Sequence, residues 1–298
     1  MFPHIGSPST LYLSCPATPL VKKAGSVRDP YGAKVRGKPM RFERTGKAKE
    51  LEQQVRDLNE FLDRFDIGGG SHRGYIRVFN QGDNPCFDWN KGGRLYSQGD
   101  DSYQRLKQDR RLGMTINDEP ICEIDIRASY LTIYHAHFGV PLDAKRDPYE
   151  LPGLPAEARD IIKLWFVATF GNNGHLDRWP REIARNYREE HGRPIGKRYP
   201  VKRIRENSMK LYPLLEKWGT EDFGWSDLMF IESQAMIGAM CELMSLGIPS
   251  LSVHDSLIVP ASKQEIAEQT LSKRYLKETG TVPVLKISVG HGDDEIPF

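Results

Sequence analysis

Two aspartates in this chain each stand where a short apolar β-type run ends. Residues 121–126 (Ile-Cys-Glu-Ile-Asp-Ile) lead through Asp125 into a helical stretch. Residues 250–260 (Ser-Leu-Ser-Val-His-Asp-Ser-Leu-Ile-Val-Pro) set two apolar runs on either side of His254-Asp255. If the two strands are neighbours in one sheet, the carboxylates converge. Two such charges ~4 Å apart repel by roughly 4 kcal/mol at an effective dielectric of ~20. A fold tolerates that when one group is protonated or when cations lie between them. Glu123 and Asp125 share a strand face, while Cys122 and Ile124 point to the core. Taken singly, the plainer readings are a helix-capping Asp125 and a hairpin-turn Asp255.

At 298 residues the chain has enough length for a large core, as one elaborated domain or two smaller ones. Its 39% hydrophobic and 28% charged content fit a globular protein without membrane partners. No apolar stretch approaches the ~20 residues that a membrane helix requires, and no secretory signal is legible at the N-terminus. Cys15, Cys86, Cys122 and Cys241 are far apart. They suggest neither a disulfide framework nor a zinc site, and a reducing, cytoplasmic compartment is the simplest expectation.

The net charge of +2 hides a segregation. Residues 1–50 hold ten Lys/Arg against three acids, whereas residues 219–298 hold five against twelve. That asymmetry suits a protein with a polyanion on one surface and cations in an acidic site, although a solvated basic arm is the bland alternative.

Residues 1–45, rich in Pro, Gly, Ser and basic side chains, read as an arm that is extended or ordered only on contact. Helical spacing covers 47–65 and ends at Gly68-Gly69-Gly70. A strand over 75–79 is followed by a turn-rich loop ending in residues 92–97. Paired strands are predicted over 112–116 and 121–126. Helices follow over 129–138, 156–169, 180–190, 201–218 and 228–246, with a loop over 191–200. A hairpin over 250–259, a helix over 263–278 and a strand over 284–289 complete the pattern.

Four motifs in order give this chain a resemblance to the palm of family A nucleic-acid polymerases, the DNA polymerase I group and its single-subunit phage-type RNA polymerase relatives. Gly93-Arg94-Leu95-Tyr96-Ser97 is similar to the family's G-R-L-S-S element, whose arginine contacts the primer end. Residues 123–131 (Glu-Ile-Asp-Ile-Arg-Ala-Ser-Tyr-Leu) resemble motif A. Arg159 and Lys163, with Phe170-Gly171 beyond, resemble motif B; being i and i+4 they share a helix face, as an ordinary solvated basic stripe would too. Val253-His254-Asp255-Ser256 resembles motif C and is the most specific piece.

The resemblance spans roughly residues 92–290 and implies an α+β fold: a polymerase palm, an antiparallel sheet backed by helices, with a small helical fingers insertion and an N-terminal basic arm plus helix. The implied divisions are 1–66 for the arm and thumb-like helix, 67–145 for the first part of the palm, 146–225 for the fingers and 226–298 for the second part of the palm. The implied chemistry is template-directed addition of dNTPs to a primer 3′-end, with no proofreading domain. Two Mg²⁺ ions, or Mn²⁺ in their place, are implied at Asp125, Asp255 and the Ile126 carbonyl. Arg159 and Lys163 are implied at the triphosphate, and Tyr130 against the sugar 2′-position, where its bulk favours deoxynucleotides. One of Phe166 and Phe170 is implied to stack on the incoming base. Arg94, Gln234 and His254 are implied against the primer–template, with Lys197, Arg198, Lys202 and Arg203 tracking template phosphates. For Gln234 a structural role at the end of the core fits as well. A compact replication protein of a phage, plasmid or other mobile element suits the size. The same residues leave open an RNA polymerase or primase, a terminal transferase, and an inactive palm kept as a nucleic-acid-binding replication module.

Overall fold

In a computed structural model of the chain, residues 18–28, 34–172 and 174–290 are described. Mostly antiparallel sheets backed by helices make a mixed α+β architecture. The larger sheet is organised around the strand Glu119–Ile126. It pairs antiparallel with Ser256–Pro260 on one side and Leu285–Val289 on the other. Ile121, Cys122, Ile124 and Ile126 are all buried, as expected of a central strand covered on both faces. Leu251–Val253 forms the hairpin partner of Ser256–Pro260. The helix Gln264–Thr279 packs on this sheet; Trp225–Ser245 packs on that helix and on the strand Gly92–Ser97, and Ser129–His137 packs against both helices. On Trp225–Ser245, Ala235, Met236, Ala239, Met240 and Leu243 repeat at helical spacing and are buried.

A second sheet has the strand order Pro39–Met40, Leu20–Lys23, Tyr75–Phe79, Gly92–Ser97. It corrects two expectations. Leu20–Lys23, assigned to an extended arm, is an inner strand that runs parallel to Tyr75–Phe79 and buries Leu20. Four residues are too few for a period to be visible. Elsewhere in that arm Pro39–Met40 is a further strand of this sheet, and residues 1–17 and 29–33 lie outside the described residues. Gly92–Ser97, read as loop, is a strand that pairs antiparallel with Tyr75–Phe79. Its two glycines disguised it. Both have φ near +80°, and a Cβ on Gly93 would stand 3.1 Å from the Ser233 hydroxyl, so the bare backbone lets the helix Trp225–Ser245 close on the strand.

The helix expected over 201–218 stops at Leu211, because Pro213 cannot continue it; a 3₁₀ turn, Pro213–Lys217, follows. The loop expected over 191–200 contains a short helix, Ile195–Arg198.

Buried polar groups tie the two sheets together. The Tyr75 and Tyr103 hydroxyls lie 2.6 Å apart. Tyr103 donates to the Ser252 carbonyl at 2.7 Å, and the Ser252 N–H donates to the Tyr75 hydroxyl at 3.1 Å. Both main-chain groups of Ser252 on the hairpin strand Leu251–Val253 are thereby satisfied, which fixes the hairpin that carries His254-Asp255.

Arg77 is the second tie, fully buried and, among the described residues, without a carboxylate partner. Its Nε donates to the Gly93 carbonyl at 2.9 Å and its Nη1 to Gln54 Oε1 at 2.8 Å, while its Nη2 donates to Gln234 Oε1. Burial lowers its pKa to about 10. Gln234 therefore lies mid-helix with its Oε1 committed to Arg77, which fits the structural role that the sequence also allowed it. Gln234→Ala should lower stability by about 1–3 kcal/mol in urea titration, the cost of a buried donor left without its acceptor. Its effect on catalysis should be small.

Candidate active site

Asp125 and Asp255 reach the same place from neighbouring strands. Asp125 is the cross-strand partner of Ser256, and the Ser256 hydroxyl donates to Asp125 Oδ1 at 2.9 Å. One step further along the ladder, the Ile126 N–H donates to the Asp255 carbonyl at 3.1 Å. Asp255 occupies the two-residue turn between Leu251–Val253 and Ser256–Pro260, where His254 takes a φ of 56°. A positive φ at the first turn position matches the twist of paired strands, but glycine is the usual residue there. The turn after Asp125 is strained in the same way: Ala128, which precedes the helix Ser129–His137, is left-handed at φ 51°, ψ 42°. Two non-glycine residues in the left-handed region flank the acidic pair, as found where a chain is bent to hold a site.

The charges around the pair are unbalanced. Arg111 grips the buried Glu123 with two bonds, Nε to Oε2 at 3.1 Å and Nη2 to Oε1 at 2.7 Å. Arg94 is bound through Nε to Glu232 Oε1 at 3.0 Å and through Nη2 to the same oxygen. Each of these arginines is committed to another carboxylate. Arg94 still lowers the Asp255 pKa, and the exposed Lys163 lowers those of both aspartates. That relief is insufficient. Burial first, and then the charge of Asp255, raises the pKa of Asp125 well above the usual carboxylate range. Burial first, and then Glu232, does the same to Asp255.

Glu232 has a buried oxygen, Oε2, without a hydrogen-bond partner among the described residues. The site thus presents under-neutralised oxygen donors and no soft ligand, a set that fits hard divalent cations such as Mg²⁺. Among the described residues no group of three His, Cys, Asp or Glu side chains gathers as a metal cluster. A divalent ion here would complete its shell with main-chain, water or phosphate oxygens.

Other predicted residues divide into those that border the pair and those that do not. The Arg94 guanidinium lies over the Tyr130 ring, 5.5 Å from its centroid. Burial first, and then Glu232, raises the Tyr130 pKa and keeps its hydroxyl protonated. His254 lies edge-on to Tyr96 with centroids 6.3 Å apart, and the surrounding chain, then Arg94 and Arg111, keeps it neutral. Arg159 and Lys163 share one face of the helix Arg159–Phe170, but Arg159 is tied to Asp147 by Nε to Oδ2 at 2.6 Å. Lys197, Arg198, Lys202 and Arg203 are exposed on the helices Ile195–Arg198 and Val201–Leu211. Arg198 lies 3.6 Å from Glu157, Lys202 lies 3.9 Å from Glu206, and Arg203 donates to the Gly153 carbonyl at 3.0 Å.

The aromatic candidates of motif B need correction. Phe166 and Phe170 are both 2% exposed and belong to a ring cluster with Tyr134, Tyr149, Trp165, Tyr212 and Trp218. Neither presents a face to a ligand. The side chain four residues beyond Lys163 on the shared face is Val167, which is 58% exposed. Three further residues at the site were not anticipated. Tyr149 is buried beside the acidic pair, whose charges raise its pKa after burial does, and Arg159 lies 5.6 Å from its ring centroid. Glu232 and Ser256 are the others. The i, i+2 spacing of Glu232 to Gln234 gave no sign of which faced the site, and Ser256 is legible only through strand register.

No protein-family model and no curated protein matches this chain. Among solved structures it is similar to the POL domain of Pol1 from M. smegmatis, in complex with DNA primer-template and dNTP. Identity is 17% over 82% of this chain and 51% of that one, with a TM-score of 0.34. The chain spans about half the length of that neighbour. Among the described residues, no helix is long and apolar enough to cross a membrane.

Proposed function

We propose that the chain is a template-directed DNA polymerase that adds dNTPs to a primer 3′-end by phosphoryl transfer. The observation that carries this reading is the acidic pair: two part-buried carboxylates, one on a strand and one in the hairpin turn beside it, left short of positive charge by arginines committed elsewhere. Asp125 and Asp255, with the Ile126 carbonyl beside them, would hold two Mg²⁺ ions. Divalent ions bound there supply charge neutralisation for the attacking and leaving oxygens.

The chain's own side chains align the reactants. Lys163, whose charge lowers the pKa of both aspartates, would meet the triphosphate. Arg159 would join it on leaving Asp147, since the two share a face at i, i+4. Tyr130, which lies under the Arg94 guanidinium, would wall the place where a 2′-hydroxyl projects. Alignment and preorganised charge, with no covalent intermediate, would provide the rate.

The test is extension of a labelled primer–template by the wild-type chain with Mg²⁺ and either dNTPs or NTPs. Extension with dNTPs is expected. Addition without template would favour a terminal transferase instead, and no nucleotide addition under any condition would leave only a binding module. Tyr130→Ala should narrow the preference for dNTP over NTP by about tenfold or more, an effect of about 1.4 kcal/mol or more in relative kcat/KM. An unchanged ratio removes Tyr130 from the sugar pocket.

A further inference from the structure

The helices Arg181–His191, Ile195–Arg198 and Val201–Leu211 form a small unit with its own aromatic filling. Trp179, Tyr187 and Tyr199 are buried, and the Trp179 indole N–H donates to the Tyr199 carbonyl at 2.8 Å. Residues 178–205 hold ten Lys/Arg against three Asp/Glu. On Arg181–His191 the charges are sorted by face. Arg181, Arg185 and Arg188 follow one another at i, i+4 and i+7, while Glu182 and Glu189 keep the adjoining side. Like charges at such spacing weaken a helix by a few tenths of a kcal/mol per pair, roughly as much as opposite charges strengthen it.

Among the described residues, Arg178, Arg181, Arg188 and Arg193 pair with no acid, and Arg185 meets Glu189 only at 3.9 Å, both side chains being largely exposed. The stripe borders a cavity of about 400 Å³. Buried Trp179, Ile195 and Val201 form its floor; on its exposed rim Arg178, Arg188 and Lys202 outnumber Asp177, whose carboxylate lies 3.4 Å from Arg205.

The geometry points to this surface as a binding site for single-stranded nucleic acid, with phosphates along the Arg181–Arg185–Arg188 stripe and an unstacked base in the adjoining cavity. Cationic rim and apolar, aromatic floor together select this ligand class. A duplex keeps its bases stacked inside and has none to offer the cavity. An anionic lipid surface brings phosphates but no planar ring. The inference rests on the proposed function only in naming the strand: it would be the template ahead of the primer end.

Fluorescence anisotropy of a labelled oligothymidine, without metal or nucleotide, tests it on the full chain. A blunt duplex and phosphatidylserine vesicles serve as the other arms. Arg181→Gln/Arg185→Gln/Arg188→Gln removes the stripe with a good helix former, so the thermal midpoint should hold or rise. We expect at least a tenfold loss of single-strand affinity and a smaller loss for the duplex. The slope of log K against log salt should shrink by about 2, at about 0.7 per lost phosphate contact. Glu189→Gln, which frees Arg185, should tighten single-strand binding about twofold.

An affinity within twofold of wild type for the triple variant overturns the assignment. Equal losses for single strand and duplex, or vesicle binding without single-strand binding, do so as well. Primer extension by the wild-type chain with no single-strand binding sinks this surface alone. Binding without any extension sinks the polymerase reading and leaves the surface standing.

Discussion

Replacing Asp255 by Asn is expected to lower primer extension by about a thousandfold or more while making the metal-free protein more stable at neutral pH. The first effect follows from removing half of the carboxylate pair that would hold the metal ions; charge stabilisation of several kcal/mol corresponds to that factor. The second follows from linkage. Burial and neighbouring negative charge raise the folded-state pKa values of Asp125 and Asp255 above their unfolded values near 3.9. In the window between unfolded and folded values the native state therefore holds more protons than the unfolded chain. This contribution to stability is complete below the unfolded value and is lost as pH rises through the folded one.

At pH 7.5, without metal, both carboxylates are charged and repel. An amide in place of the Asp255 carboxylate removes one charge and offers Asp125 a donor, a gain of about 1–3 kcal/mol. Differential scanning calorimetry of wild type across pH 4–8 should show a midpoint that falls with pH unless Mg²⁺ is present. The variant should fall less and should not respond to Mg²⁺. Extension by Asp255→Asn within tenfold of wild type, or a metal-free variant less stable than its parent, contradicts this account of the site.

Much of this site was legible because strand physics has a short period. The apolar runs around Asp125 and Asp255 fixed which residues enter the sheet, and a two-residue turn at His254-Asp255 left one register for the hairpin. What the sequence could not show depends on contacts between distant segments. Glu232 and Gln234 stand two apart on one apolar helix, and only the packing decides that the first meets Arg94 and the second meets the buried Arg77. Phe166 and Phe170 looked accessible for stacking because their helix carries Arg159 and Lys163. The rings instead fill the space under it, and Val167 takes the open face. Leu20–Lys23 was hidden by its length and by the basic residues around it, since an inner strand needs only a partner on each side.

The pair Arg94–Glu232 should show the largest coupling in the molecule. Glu232 is 1% exposed, both contacts from Arg94 fall on its Oε1, and its Oε2 has no partner among the described residues. Arg94→Met leaves that carboxylate buried and unpaired beside Asp255, which should lower stability by about 3–5 kcal/mol. Glu232→Gln keeps the shape and an acceptor for Arg94 while removing a charge that raises the Asp255 pKa, so it should be milder. The double variant Arg94→Met/Glu232→Met replaces the ion pair by apolar volume and should regain most of the lost stability, since buried pairs exchanged whole for apolar groups are often neutral.

A double-mutant cycle by urea unfolding, run through Arg94→Met, Glu232→Met and the double, should therefore give an interaction of about 2 kcal/mol or more, with the double more stable than either single. Additive singles would show that the pair is solvated and that Arg94 is free for other partners. Extension separates fold from function. If Arg94 meets the primer end, the stable double variant stays at least tenfold slower than wild type, with the deficit in kcat/KM for primer–template. If Arg94 only neutralises Glu232, extension returns with stability.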